Sequence, residues 1–256
     1  MKNLDRGPLY EAAEFYDAEL VAHDHEFPFY VARAQQDRGP VLKFAGGTGQ
    51  LTLPSAAAGV PIVGVDLVPA MVDRARAKAT TSGLNVEWHV ADDCELVLGK
   101  TLLLAFIATN ALQYLHDAAS LEAFLRRAAE YFEPGGPLVV DVFNPSVAKL
   151  SRSMHQRHPH KTFVLPDGRV ATVDVGSECL ADAQMLHHVL AFRVDGRIVR
   201  SKDVRMRCIF PEELLALCRA GGFEPEERFG DYDRSPFGAA RGSGSSCAEG
   251  RQARQC

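Results

Sequence analysis

Nine residues, Val41-Leu42-Lys43-Phe44-Ala45-Gly46-Gly47-Thr48-Gly49, run from a short apolar strand into a glycine turn, and no other passage of the 256-residue chain restricts its fold as strongly. Glycines at 46, 47 and 49 let the backbone take positive φ and approach a ligand closely. The helix expected behind them points its free N–H groups at the same place. This is a turn of the nucleotide-binding type. Many glycine turns only connect elements, so the reading depends on what flanks this one.

What flanks it is an alternation of strands and helices. Residues 9–17 and 27–36 have helical apolar spacing, with the polar run Ala22-His23-Asp24-His25-Glu26 between them. The aromatic residues Phe15, Tyr16, Phe27, Phe29 and Tyr30 suit either a core or a cover over a ligand. The strand over 41–45 is followed by a helix over 51–58, whose Pro54 falls in the first turn and whose end is marked by Gly59. A strand over 60–65 closes on Asp66, a helix spans 69–79, and further strands are expected over 86–90, 101–107 and 137–143. A helix over 119–132 precedes the last of these and stops at Glu133-Pro134-Gly135-Gly136. The pattern predicts an α/β fold, Rossmann-like and doubly wound, with a mostly parallel sheet and helices on both faces. Ligands of such sheets bind at the carboxyl ends of the strands, which here carry Gly47, Asp66, Asp92, residues 107–110 and Asn144.

Beyond Asn144 the period changes. Alternating β-like runs over 169–175, 188–194 and 198–207, with turns at Asp167-Gly168 and Asp195-Gly196, predict an inserted antiparallel lid. A helix over 211–220 has proline at its first position and Gly221-Gly222 past its end, and a final strand follows over 223–231. The expected organisation is an N-terminal helical cover (1–40), a binding domain (41–150 with 211–237), a β lid (151–210) and a tail (238–256). The tail holds almost no bulky apolar residue and is expected to be disordered.

Composition narrows the partners. A net charge of -5 and 24% charged residues leave no basic patch to suggest nucleic acid. No apolar run approaches the roughly 18 residues of a membrane span. The N-terminal Met-Lys-Asn-Leu-Asp-Arg lacks the apolar core of a signal peptide, so a cytoplasmic monomer or homodimer is expected. Six scattered cysteines without a C-x-x-C pair read as free thiols. The histidines at 155, 158, 160, 187 and 188 cluster without a carboxylate or cysteine at ligand spacing, so no metal is expected.

Taken together, these motifs resemble the class I S-adenosylmethionine-dependent methyltransferases, of the bacterial small-molecule type with an inserted β lid. The resemblance covers about residues 10–237. It is carried by Phe44-Ala45-Gly46-Gly47-Thr48-Gly49, Val63-Gly64-Val65-Asp66-Leu67 with Pro69-Ala70-Met71, Asp92, Phe106-Ile107-Ala108-Thr109-Asn110, Val139-Val140-Asp141-Val142-Phe143-Asn144-Pro145 and Phe229-Gly230-Asp231-Tyr232-Asp233. It implies S-adenosylmethionine as cofactor and a small-molecule substrate. By resemblance Asp66 binds both ribose hydroxyls, a task suited to a carboxylate. Ala45 and Gly47 leave room for the methionine part, and Gly49 starts the helix. Asp92 accepts from the adenine amine with Asp93 beside the ring, Leu67 and Met71 pack on the adenosine, and Ile107 to Asn110 line the sulfonium. Asp66 as a helix cap and Asp92 as an ordinary turn residue are the plainer readings. Such chemistry needs a nucleophile held about 3 Å from an activated carbon, its proton removed where necessary, and water excluded. Candidates for that work are Asn110, Asn144, Tyr16, Tyr114 and His116, the last as a general base or as a surface histidine.

Three departures from the family accompany the likeness. Lys43 stands where the first strand of the family ends in a carboxylate that helps hold the cofactor's α-ammonium. Two unit charges about 5 Å apart at an effective dielectric near 20 repel by roughly 3 kcal/mol, equivalent to roughly two pKa units. Either Lys43 turns away or the amine is favoured as the neutral nucleophile, which would permit cyclisation of the cofactor to azetidine-2-carboxylate with release of methylthioadenosine, as enzymes resembling methyltransferases do. A non-catalytic cofactor-binding module is the third reading. The second departure is Thr101-Leu102-Leu103, where an aromatic residue and an aspartate are usual. The third is a missing last strand: nothing from Gly238 onward looks able to enter the sheet, so an incomplete sheet or an apolar dimer contact is expected in its place.

Overall fold

The computed structural model describes residues 16–17, 19, 26–37, 39–92, 96, 98–99, 101–132, 135–165, 167–237 and 245–252. Asp93 and most of the first expected helix lie outside the described residues; Tyr16, Asp17 and Glu19 are helical. The strands of the main sheet are β1 (Val41–Phe44), β2 (Ile62–Asp66), β3 (Glu87–Val90), β4 (Leu104–Ile107), β5 (Pro137–Phe143), β10 (Phe223–Phe229) and β11 (Ser245–Gln252). They stand in the order β10-β11-β5-β4-β1-β2-β3. Pairing is parallel from β5 through β3 and antiparallel on both sides of β11.

Helices α1 (Phe27–Asp37), α2 (Thr52–Ala57), α3 (Pro69–Thr81), α4 (Ala118–Ala129), α5 (Val147–Leu150) and α6 (Pro211–Ala220) complete the described fold. The α/β doubly wound architecture expected from the alternation is the one found. Helix α4 shows why: Asp117 caps it by accepting from Ser120 N at 2.8 Å, and Leu121, Phe124, Leu125, Ala128 and Ala129 form one buried stripe. That stripe joins Leu42, Phe44, Val140 and Phe223 in a core on one face of the sheet. On the other face Phe29, Tyr30 and Ala34 of α1 pack with Val41, Leu104, Phe106, Val139 and Tyr232. Trp88 fills the far edge with Val72 and Ala75.

The missing strand is present, so two expectations fail together. Within the tail expected to be disordered, residues 245–252 form β11, inserted antiparallel between β10 and β5, and no gap is left for a dimer contact to cover. The physical reason is that an inserted strand is held by backbone ladders on both sides, which pair its N–H and C=O groups without bulky side chains. Residues 238–244 and 253–256 lie outside the described residues. The lid is a four-stranded antiparallel sheet, β6 (His158–Val164), β7 (Val170–Leu180), β8 (Met185–Val194) and β9 (Arg197–Arg207). Strand β6 was not among the expected runs, because Pro159 and two histidines hide its period and a register shift interrupts its pairing. The fourth strand of the main sheet begins only at Leu104, while Leu102 forms a single bridge to Phe132. Among the described residues no helix is long and apolar enough to cross a membrane.

Candidate active site

The strand order reverses between β4 and β1, and the register aligns Phe44 with Ile107 and Lys43 with Gly64. The loops after these three strands therefore meet at one crevice, the switch point of the sheet. Gly47 N donates to Asp66 Oδ2 at 2.8 Å and Val68 N to Asp66 Oδ1 at 2.9 Å. The carboxylate that ends β2 is thus fastened to the glycine turn that ends β1. Burial pushes the Asp66 carboxyl up, against the pull of those N–H groups and of Lys43.

A Cβ on Gly47, whose φ is +57°, would lie 3.4 Å from Tyr16 Oη, so this tyrosine covers the turn. Burial raises Tyr16 well above the usual phenol value, and Asp66 and Tyr114 push the same way, so the hydroxyl stays protonated and can donate a hydrogen bond. Asp17 fixes the same segment, accepting from Arg74 at 2.9 Å, Lys78 at 2.7 Å and the Thr48 hydroxyl. Glu19 pairs with Lys161 of β6 at 2.9 Å, both side chains buried, which ties the lid to the N-terminal cover.

On the β4 side, Thr109 and Asn110 both take left-handed backbone, φ 62° and 59°. Two adjacent non-glycine residues there cost about 1–2 kcal/mol each. Asp141 of β5 holds them, accepting from Thr109 N at 2.9 Å and Asn110 N at 2.6 Å, and it also accepts from Tyr30 Oη at 2.6 Å and Tyr232 Oη at 2.9 Å. The clamp leaves Asn110 Oδ1 buried without a hydrogen-bond partner among the described residues. Such an orphaned acceptor at a strand end suits a donor brought by a ligand.

Lys43 is buried, with Nζ donating to the carbonyls of Phe44 at 2.5 Å and Ala45 at 3.1 Å. It does not turn away from the glycine turn; it caps its lip. Glu26 is buried too, contrary to its reading as part of a polar linker. Burial, and next the charge of Asp141, push its carboxyl from 4.5 up to about 7, against the pull of Tyr232 and Lys43. Between those values the folded chain keeps a proton that the unfolded chain has released. The contribution of Glu26 to stability is therefore full below about pH 4.5 and is lost as pH rises to about 7, by on the order of 3 kcal/mol. Glu26→Gln is expected to gain on the wild type by that order over this window in urea titrations; a flat difference would contradict a buried neutral acid.

The remaining expected residues fall in different places. Met71 and Ile107 are buried, and Leu67, Asp92 and Asn144 are half-buried at the strand ends or the loops beside them. Tyr114, in a short 3-10 helix, packs with Tyr16 against the lid core. His116 is drawn toward the lid base, Nε2 lying 3.0 Å from the Arg205 carbonyl, while Arg207 donates to its backbone carbonyl. His187 does meet carboxylates, Glu178 at 3.3 Å and Asp203 at 2.8 Å on flanking segments. Among the described residues no group of three or more His, Cys, Asp or Glu is placed to hold a metal ion. Asp17, Glu26 and Asp141 were not expected at the site. Asp141 had a signal, since a carboxylate inside the apolar run of a strand covered on both faces requires partners.

Comparison with known proteins agrees with this geometry. Residues 41–136 match the family described as "Methyltransferase domain". The chain is 32% identical over 108 residues to a ubiquinone biosynthesis O-methyltransferase of Azorhizobium caulinodans, covering 42% of this chain and 41% of that protein. It is 35% identical over 114 residues to the uncharacterized protein Rv1405c of Mycobacterium tuberculosis, covering 44% and 40%. The chain thus spans about two fifths of the length of these curated relatives. Among solved structures, the CcbJ methyltransferase from Streptomyces caelestis superposes with a TM-score of 0.77 at 27% identity, over 93% of this chain and 96% of that one. CalS10, an amino pentose methyltransferase from Micromonospora echinaspora, shares the fold with a TM-score of 0.69 at 22% identity, over 94% and 96%. Residues 41–136 thus match a methyltransferase domain, and the chain has the fold of solved methyltransferase structures over nearly its whole length.

Proposed function

We propose that the chain transfers a methyl group from S-adenosylmethionine to an amine or hydroxyl of a small-molecule acceptor. The observation that carries this reading is the crevice at the switch point, where the Gly47–Asp66 contact faces the Asp141-clamped pair Thr109–Asn110. The residues suit the cofactor: Gly47 is a cradle that a Cβ would fill, Asp66 keeps acceptor capacity beside its N–H contacts from Gly47, Val68 and Leu67, and Asn110 Oδ1 lacks a donor among the described residues. When bound, the cofactor supplies a methyl carbon on a positive sulfur, already activated to displacement.

In this reading Asp66 accepts from the ribose hydroxyls, Asp92 from the adenine amine, and Leu67 and Met71 give the adenosine an apolar seat. Ala45, Gly47, Gly49 and Ile107 shape the space for the methionine part. Asn110 accepts an N–H or O–H of the acceptor and orients its lone pair. Tyr16, kept protonated, donates across the glycine turn, with Tyr114 beside it, and Asn144 lines the acceptor side. His116, held on the Arg205 carbonyl, braces the lid. The lid and cover, joined by Glu19–Lys161, keep water from the crevice. The inner lid face also carries His188, bonded to Ser177 Oγ at 2.7 Å. Burial, then the charges of His160 and Arg152, lower it to about 4, so it presents a neutral imidazole to an acceptor. The relative named as a ubiquinone biosynthesis O-methyltransferase supports a small acceptor.

Calorimetry with S-adenosylmethionine and S-adenosylhomocysteine is expected to show one site, and incubation with a panel of small amines and phenols to release S-adenosylhomocysteine. No binding of either ligand would refute the reading. Lys43 at the lip of the turn favours a second use of the same molecule as sole substrate. Methylthioadenosine released without any acceptor would select that use, and retention without either product would select a binding module.

A further inference from the structure

The most unusual group at the crevice is a cation. Strand β1 is buried along its whole length, yet its third residue is Lys43, only 3% exposed. Its ammonium donates to the carbonyls of Phe44 and Ala45, the last of the strand and the first of the glycine turn. Two carboxyl groups act on it electrostatically: Asp66 from β2 and Glu26 from the segment before α1. Glu26 in turn faces Asp141 and Tyr232. The turn's other groups are already used, Gly46 N by the Val65 carbonyl and Gly47 N by Asp66. Two carbonyl oxygens at one lip, with the Asp66 carboxyl and the Glu26 acid acting on the same place, make a seat for an ammonium, and the chain fills that seat with its own side chain.

We infer that Lys43 occupies the place where the amino end of a bound amino-acid ligand would otherwise deliver its ammonium, and that it makes the chain select against a charged α-amine on that ligand. This deepens the S-adenosylmethionine reading and rests on it. The tail of the ligand that lies on the Ala45–Gly47 turn meets a fixed positive charge rather than a negative one. A carboxylate on the same tail is drawn to Lys43, whereas an ammonium must lose its proton or stand off. The arrangement inverts the usual polarity of the problem: the acids sit on the cover and on β2, and the base sits on the central strand.

Affinity measures this directly, without turnover. S-adenosylhomocysteine is compared by calorimetry at pH 7 with its deaminated analogue, S-(5′-deoxyadenosyl)-4-thiobutanoate, and with methylthioadenosine, in the wild type and in Lys43→Met, whose unbranched apolar side chain keeps the volume. The wild type is expected to bind the deaminated analogue at least as tightly as S-adenosylhomocysteine, and Lys43→Met to move the ratio at least tenfold toward the amine-bearing ligand. A wild type that prefers the amine-bearing ligand, or a ratio moved less than threefold by Lys43→Met, overturns the inference. If the variant does not fold, the wild-type ratio alone decides. Binding of methylthioadenosine with the wrong ratio sinks only the role of Lys43, whereas failure of all three ligands to bind sinks the cofactor reading with it.

Discussion

Asp141→Ala is expected to destabilise the chain by about 4 kcal/mol or more and to abolish the proposed activity. Four donors, Tyr30 Oη, Tyr232 Oη, Thr109 N and Asn110 N, lose the Asp141 carboxylate in one change, Tyr232 keeping its contact with Glu26. Each buried donor left unsatisfied costs about 1–3 kcal/mol, with partial relief as groups re-pair. The left-handed backbone of Thr109 and Asn110 then has nothing to hold it, so Asn110 leaves its position before any ligand arrives. Asp141→Asn keeps one carbonyl oxygen but sets an amide N–H₂ against donors, and intermediate losses are expected. Chemical denaturation and ligand calorimetry on the two variants check this; an Asp141→Ala chain within about 1 kcal/mol of wild type would contradict the clamp.

A different signature is expected at Asp66. Asp66→Ala is expected to weaken S-adenosylmethionine about 100-fold or more, through loss of two charge-assisted hydrogen bonds of about 1.5–3 kcal/mol each, partly offset by water. Asp66→Asn, which keeps one acceptor, is expected to cost about tenfold. The asparagine variant should lose less stability than affinity: its N–H₂ opposes one of the Gly47 and Val68 donors, but burial already works against the Asp66 charge in the empty site. Calorimetric affinity beside urea midpoints separates the cases. Equal losses of affinity and stability at Asp66 would show a structural carboxylate rather than a ligand-binding one.

The contrast between these two aspartates also marks what the chain discloses before it is folded. Asp66 is legible because it ends a strand and sits one helix beyond a glycine turn, a local pattern that already puts it at the carboxyl edge of a parallel sheet, where ligands bind. Asp141 stands in an equally local pattern, a charge within an apolar strand, but its four partners come from α1, from the loop after β4 and from the segment after β10. Glu26 reads as one more polar residue in a linker until the fold buries it against Asp141, Tyr232 and Lys43. Asp17 likewise acquires its meaning from Thr48, Arg74 and Lys78, which lie 31 to 61 residues away.

Strand β11 shows the same limit in the fold itself. Its residues lack the apolar alternation that marks a strand, because its place is set by two neighbours whose ladders it completes. Periodicity reports the side chains a segment buries; it is silent about backbone pairing supplied from elsewhere in the chain. The glycine turn, the order of strands and helices, the lid and the Lys43 departure were all written in local pattern, since each depends on residues a few positions apart. Which way Lys43 points, what clamps Asn110 and what closes the sheet depend on contacts between distant segments, and only the tertiary structure decided them.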